Sequence, residues 1–178
     1  MPQIVFEHHY DGATKKVSRL GLSSLLDELR ERLTGFRLQV EETKGANGGG
    51  ALRKLLDKQF ESDPSWIKTT VGGIDYTKCI DARGIKLCLG VEIQVSARSD
   101  LIAVDLLHLK QALRGGLIDV GVLVVPSDLL STYLPSRFPS VTEAQRIFDN
   151  FDAESLPLIL WGLEHDGPGK ALPVRGRS

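Results

Sequence analysis

Glu92 and Gln94 interrupt the apolar run 87–95, and a strand puts both on one face because successive side chains alternate. A carboxylate set into such a strand costs several kcal/mol unless it is paired, protonated or bound to a cation. Seventeen residues before Glu92, Asp75 lies in the strand-like stretch 71–80, across the turn signal Asp81-Ala82-Arg83-Gly84. Folded as a hairpin with Asp75 opposite about Gly90, the two carboxylates meet. Two carboxylates and an amide oxygen suit magnesium, which takes one or two carboxylates and keeps waters for a phosphate substrate. An ion held there polarises a phosphoryl oxygen and lowers the pKa of an attacking water. The same residues also fit two solvated carboxylates at a sheet end. Asp81 competes with Asp75 for the first metal position, but Gly84 beside it assigns Asp81 to the turn. Lys78 and Lys86 are expected to be exposed on this hairpin.

The elements that must hold these groups follow from periodicity. Residues 23–33 carry Leu25, Leu26, Leu29 and Leu33 at helical spacing, with Ser23 or Ser24 as N-cap. Residues 36–40 read as a short strand or extended link, and Gly45 to Gly50 as a loop. Residues 51–61 form a second helix with an apolar stripe of Leu52, Leu55, Leu56 and Phe60, and Trp66 packs beneath the hairpin. A helix over 101–113 stops at Gly115-Gly116. The β-branched run 117–126 has the composition of a strand buried on both faces, 141–151 is helical, and 156–163 is another buried strand. The order predicts one α/β domain over 1–165, a mixed five- to six-stranded sheet flanked by helices, with 166–178 as a mobile tail.

Composition narrows the class. A chain of 178 residues with 42% hydrophobic content supports one full core, and a net charge of −1 argues against an indiscriminate polyanion binder while leaving room for a local basic groove. The two cysteines, Cys79 and Cys88, read as small buried side chains of a reducing cytoplasm, with a cross-strand disulfide as the alternative. The opening residues lack a signal-peptide pattern, and no run approaches a membrane span, so the expected location is cytoplasmic and no membrane partner is implied.

An acidic residue on one strand followed by Glu-x-Gln on the next resembles the PD-(D/E)xK nucleases, in the Glu-x-Gln form of the restriction endonucleases of the BglII/BamHI-like group. The resemblance covers roughly 52–163 and includes Ile74-Asp75-Tyr76, Val91-Glu92-Ile93-Gln94, the helix that follows, and Ile118 to Pro126. It implies a restriction-endonuclease-like core and Mg²⁺ bound by Asp75 and Glu92. It implies also that Gln94 positions or polarises the nucleophilic water, in place of a lysine that would stabilise the phosphate. An additional catalytic residue comes from the preceding helix, with Asp57 preferred over Gln59 and Glu61; a solvent-facing Asp57 is the alternative.

The implied substrate is double-stranded DNA carrying a short palindrome, cut by a type II enzyme. Ser96 and Arg98 follow the catalytic strand, Ser136 and Arg137 lie in a long loop, and these four are the candidates for DNA contact, with plain phosphate contact as the alternative to base readout. Cutting both strands of a palindrome requires a two-fold pair, so a homodimer is expected, with 23–33 or 101–113 at the contact. The histidines do not cluster in sequence, and His8-His9 are read as surface residues. Two other readings stay open: a repair or defence nuclease of the same core without palindrome specificity, and a catalytically inactive DNA-binding relative.

Overall fold

The computed structural model describes residues 1–68, 73–95, 99–151 and 155–174. Six strands form one mixed sheet in the order β1-β6-β5-β4-β3-β2: β1 Gln3–His9, β2 Ile67–Lys68, β3 Tyr76–Ala82, β4 Ile85–Ile93, β5 Val120–Pro126 and β6 Leu158–Glu164. The central β4, β5 and β6 run parallel; β1 joins β6 antiparallel, and β3 and β2 add antiparallel strands at the other edge. Periodicity assigns no element to the opening residues. They supply β1 and the helix α1 Ala13–Leu20.

The central strands are apolar on both faces because helices cover both. Leu87, Leu89, Val91 and Ile93 of β4, with Val120, Val122 and Val124 of β5, face a layer made by α1, α2 Ser23–Thr34, α3 Gly49–Glu61 and α5 Asp128–Tyr133. Cys88, Leu123, Val125, Leu158 and Leu160 face α4 Ile102–Arg114 and α6 Val141–Asn150. Period-two alternation thus sorts one continuous apolar string into two cores. Glu92 falls in the phase of Cys88, and so on the α4 side.

All four leucines expected on α2 are buried in the first core, which removes that helix as a free dimer face. Its N-cap is Leu22, with no side-chain cap bond, in place of Ser23 or Ser24. Residues 36–40 contribute one isolated bridge, Val40 to Pro168. The segment after Asp166, expected as mobile, has fixed partners through Leu172: Gly169 N–H donates to Val40 O at 2.7 Å, Gly48 N–H to Leu172 O at 3.0 Å, and Leu172 N–H to Asn47 Oδ1 at 3.1 Å.

The hairpin closes as expected at Arg83 and Gly84, both with positive φ (57° and 80°), and Asp81 Oδ1 accepts Gly84 N–H at 2.8 Å. Its register differs from the expectation: Thr77, not Asp75, faces Gly90, and Tyr76 faces Val91, so Asp75 extends the ladder toward Glu92. Cys79 and Cys88 are direct cross-strand partners joined by a disulfide, Cα to Cα 4.0 Å, which corrects the reading of two reduced thiols. Equal strand offsets from the turn put them opposite one another. Lys78 is likewise not exposed. Its Nζ donates to Glu28 Oε2 at 2.7 Å and to Asp63 Oδ2 at 3.2 Å, over the Trp66 ring.

Candidate active site

Asp75 stands just before β3, where the ladder to β4 ends, and its side chain takes over from the missing strand. Oδ2 accepts the Ile93 N–H at 2.8 Å, while Oδ1 accepts Arg53 Nη2 at 2.6 Å. The Ile93 carbonyl, also beyond the last β3 pair, accepts Arg53 Nη1 at 2.7 Å. Arg53 and Asp57 are one turn apart on α3, and Arg53 Nε donates to Asp57 Oδ1 at 2.8 Å. The same oxygen accepts Tyr76 Oη at 2.7 Å, and Lys68 Nζ is 3.4 Å from Asp57 Oδ2. Burial would raise the Asp57 pKa, but bonds from Arg53 and Tyr76 hold it below the usual carboxylate range. Asp57 therefore belongs to this cluster, and Gln59 and Glu61 do not: Gln59 Nε2 is turned back to Leu55 O, and Glu61 is exposed.

On the α4 side, Glu92 is only 2% exposed. His108 Nδ1 lies 3.2 Å from Glu92 Oε1, and ligand atoms of Glu92, Asp105 and His108 lie within 4.8 Å of one another. Burial and the charges of Asp75 and Asp105 push the Glu92 carboxyl well above its ordinary value. Burial, with the Asp75 charge, raises Asp105 to about 7. Carboxyls crowded in this way repel one another as anions, and a divalent cation relieves exactly that repulsion while accepting their oxygens and an imidazole nitrogen. The donor set fits a metal.

Gly73 completes the wall: at φ 86° it packs so closely that a Cβ would fall 2.3 Å from the His108 ring. Gln94 follows β4, is 6% exposed, and its N–H donates to Val124 O at 2.9 Å, continuing the line of the strand.

The structure thus brings Asp57, Asp75 and Glu92 to one end of the sheet, with Gln94 two residues past Glu92. Ser136 and Arg137 lie on an exposed turn, where Arg137 adopts φ 72°. Ser96 and Arg98 lie outside the described residues, although Ser99 N–H donates to Arg137 O at 2.8 Å, so the two loops expected to meet DNA are adjacent where that path resumes. Sequence reasoning missed Arg53, Asp105 and His108. Arg53 four residues before Asp57, and Asp105 three before His108, were legible as helix-face pairs.

A mixed sheet whose parallel centre ends in a buried Glu92 beside half-buried Asp75 and Asp105, walled by helices on both faces, fits a metal-dependent nuclease core. Residues 6–163 match the model of the restriction endonuclease BglII/BglIII family, and the chain belongs to that family. It is a type II site-specific DNA nuclease, of a metal-dependent family whose substrate is DNA. No curated protein matches the chain. No described helix is long and apolar enough to cross a membrane.

Proposed function

We propose that the chain hydrolyses phosphodiester bonds within a short palindromic site of double-stranded DNA, with Mg²⁺ as the ion, and that residues 1–165 form its single catalytic domain. The observation that carries this reading is the meeting of Asp75 and Glu92 beyond the last β3–β4 pair, where two strands and two helices deliver charged groups to one point. Asp75 and Glu92 would hold Mg²⁺, with Asp105 and His108 completing its surroundings. Bound there, the ion supplies Lewis-acid polarisation of the phosphate and a more acidic water. Gln94 orients the attacking water through its amide. Asp57, whose oxygens are committed to Arg53, Tyr76 and Lys68 and whose pKa is depressed, serves by positioning Arg53 and would be a weak base. Attack in line with the leaving 3′-oxygen leaves a 5′-phosphate and a 3′-hydroxyl.

Ser96, Arg98, Ser136 and Arg137 are assigned to DNA contact. One site cuts one strand, so the enzyme acts as a homodimer. The exposed Leu101, Val104 and Leu107 at the start and outer face of α4 are apolar side chains that such a contact would cover. We place the enzyme in the cytoplasm on the strength of its DNA substrate, the Cys79–Cys88 bridge being the feature more typical of an oxidising compartment.

Purified protein incubated with unmethylated phage DNA, in Mg²⁺ and then in EDTA, tests the reading. Discrete Mg²⁺-dependent bands support it. A smear would indicate a nuclease without site specificity, and intact DNA retained by the protein under every divalent ion would indicate a binding module.

A further inference from the structure

Arg53 has three acceptors, and two of them are oxygens at the metal-binding end of the sheet. Its Nη2 holds Asp75 Oδ1 at 2.6 Å and its Nη1 holds the Ile93 carbonyl at 2.7 Å, while Nε keeps the side chain tethered to Asp57 at 2.8 Å. The planar fork of guanidinium satisfies all three at once, and the side chain is only 19% exposed. The Ile93 carbonyl has no partner on β3, whose pairing with β4 ends at Tyr76 and Val91. Carboxylate and carbonyl oxygens of this kind are what a hard divalent ion takes.

Resting on the metal-dependent reading above, we propose that Arg53 is a resident cation that competes with the divalent ion for Asp75 Oδ1 and the Ile93 carbonyl, so that ion binding and release of the Arg53 fork are a single exchange. The tether to Asp57 keeps the displaced guanidinium on the α3 side of the site. Arg53 is thus a positioning residue that tunes ion affinity from a different element than the Glu-x-Gln strand. It also supplies the positive charge that Gln94 lacks. Arginine suits this exchange better than lysine, because three acceptors in a plane match its fork and not a point charge.

The test is calorimetric titration of Ca²⁺ into the DNA-free full chain, wild type against Arg53→Met and Arg53→Lys, with circular dichroism to verify folding. Arg53→Met should bind Ca²⁺ at least about tenfold tighter, about 1.4 kcal/mol. Arg53→Lys should also bind tighter than wild type, because it keeps the charge but cannot hold both oxygens. Tighter binding by Arg53→Met with Arg53→Lys equal to wild type would reduce the effect to charge alone and overturn the exchange. Equal or weaker binding by both folded variants would also overturn it. Where Arg53→Met fails to fold, Arg53→Lys alone decides between these outcomes. Mg²⁺-dependent cutting by the wild type keeps the metal-dependent reading whichever way the variants fall; no Ca²⁺ binding by any of the three, with no cutting, ends both.

Discussion

His108 Nδ1 and Glu92 Oε1 lie 3.2 Å apart, joining the middle of α4 to the end of β4. An imidazole beside two carboxylates broadens the ions such a site accepts, because nitrogen ligands favour later transition metals while oxygen ligands suit magnesium and manganese. His108→Ala should weaken Co²⁺ binding by about 10–100-fold, the scale seen for groups that orient or complete a metal site, and Mg²⁺ binding much less. Titrating both ions into the variant checks this; an equal loss for each would remove His108 from the ligand set.

Glu92 is buried among acidic neighbours, so its side chain is placed for function at a cost in stability. In EDTA, Glu92→Gln should be more stable than wild type by about 1–3 kcal/mol, the scale of a buried polar group without compensation. Cutting should be lost, and Mg²⁺ should no longer raise the melting temperature. Denaturant titration of both proteins decides it, and a destabilised Glu92→Gln would mean that the carboxylate is well compensated.

Lys78 lies between Glu28 and Asp63. Burial pushes Glu28 upward, but bonds from Lys78, Trp66 and Arg32 outweigh it and lower its pKa from 4.5. A depressed carboxylate pKa contributes stability that is present above the unfolded value and is lost as pH falls through the folded one. Wild-type stability should therefore decline below about pH 4.5 through this network, the unfolded glutamate value being about 4.3. Lys78→Met should be less stable at pH 7 by about 1–3 kcal/mol and flatter with acid. Parallel melting curves from pH 7 to 3 would expose an unchanged acid slope, and with it a network of little weight.

The Cys79–Cys88 bridge closes a short loop, with a sequence separation of 9. Chain-entropy arguments give such a loop about 2–3 kcal/mol. Dithiothreitol, or Cys88→Ser, should lower stability by up to that amount while the hairpin persists through its ladder. Thiol titration of the denatured, unreduced protein should find no free cysteine. Two free thiols would show that the pair stays reduced.

Arg137 holds φ at 72°, unfavourable for a residue with a Cβ. Arg137→Gly should gain about 0.5–1 kcal/mol of stability from relief of that conformation, less the backbone entropy of glycine. Arg137→Ala should gain nothing. Both should weaken DNA binding alike, because they lose the same guanidinium. Wild-type DNA affinity in both variants would remove Arg137 from the interface.

Much of the fold was legible because its signals are local. The buried strands at 120–126 and 158–164, the helices on each side of them, and the Arg83-Gly84 turn follow from periodicity and turn chemistry within short windows. The strand phase alone puts Glu92 and Gln94 on one face. The hairpin reading also carried Asp75 as Glu92's neighbour, although its register was misjudged by two residues. β1 escaped because its few apolar residues are at most half-buried on a sheet edge, and α1 because only Ala13 and Val17 of its eight residues are buried.

Tertiary structure decided what long-range packing alone can decide. No local pattern says that Arg53 crosses from α3 to the carbonyl of Ile93, that α4 presents His108 to Glu92, or that Lys78 turns inward to Glu28. Those pairings depend on how helices dock over a sheet, and many distant apolar contacts fix that docking together. A chain can announce which groups are expensive to bury; which charges meet them is settled only when the layers close.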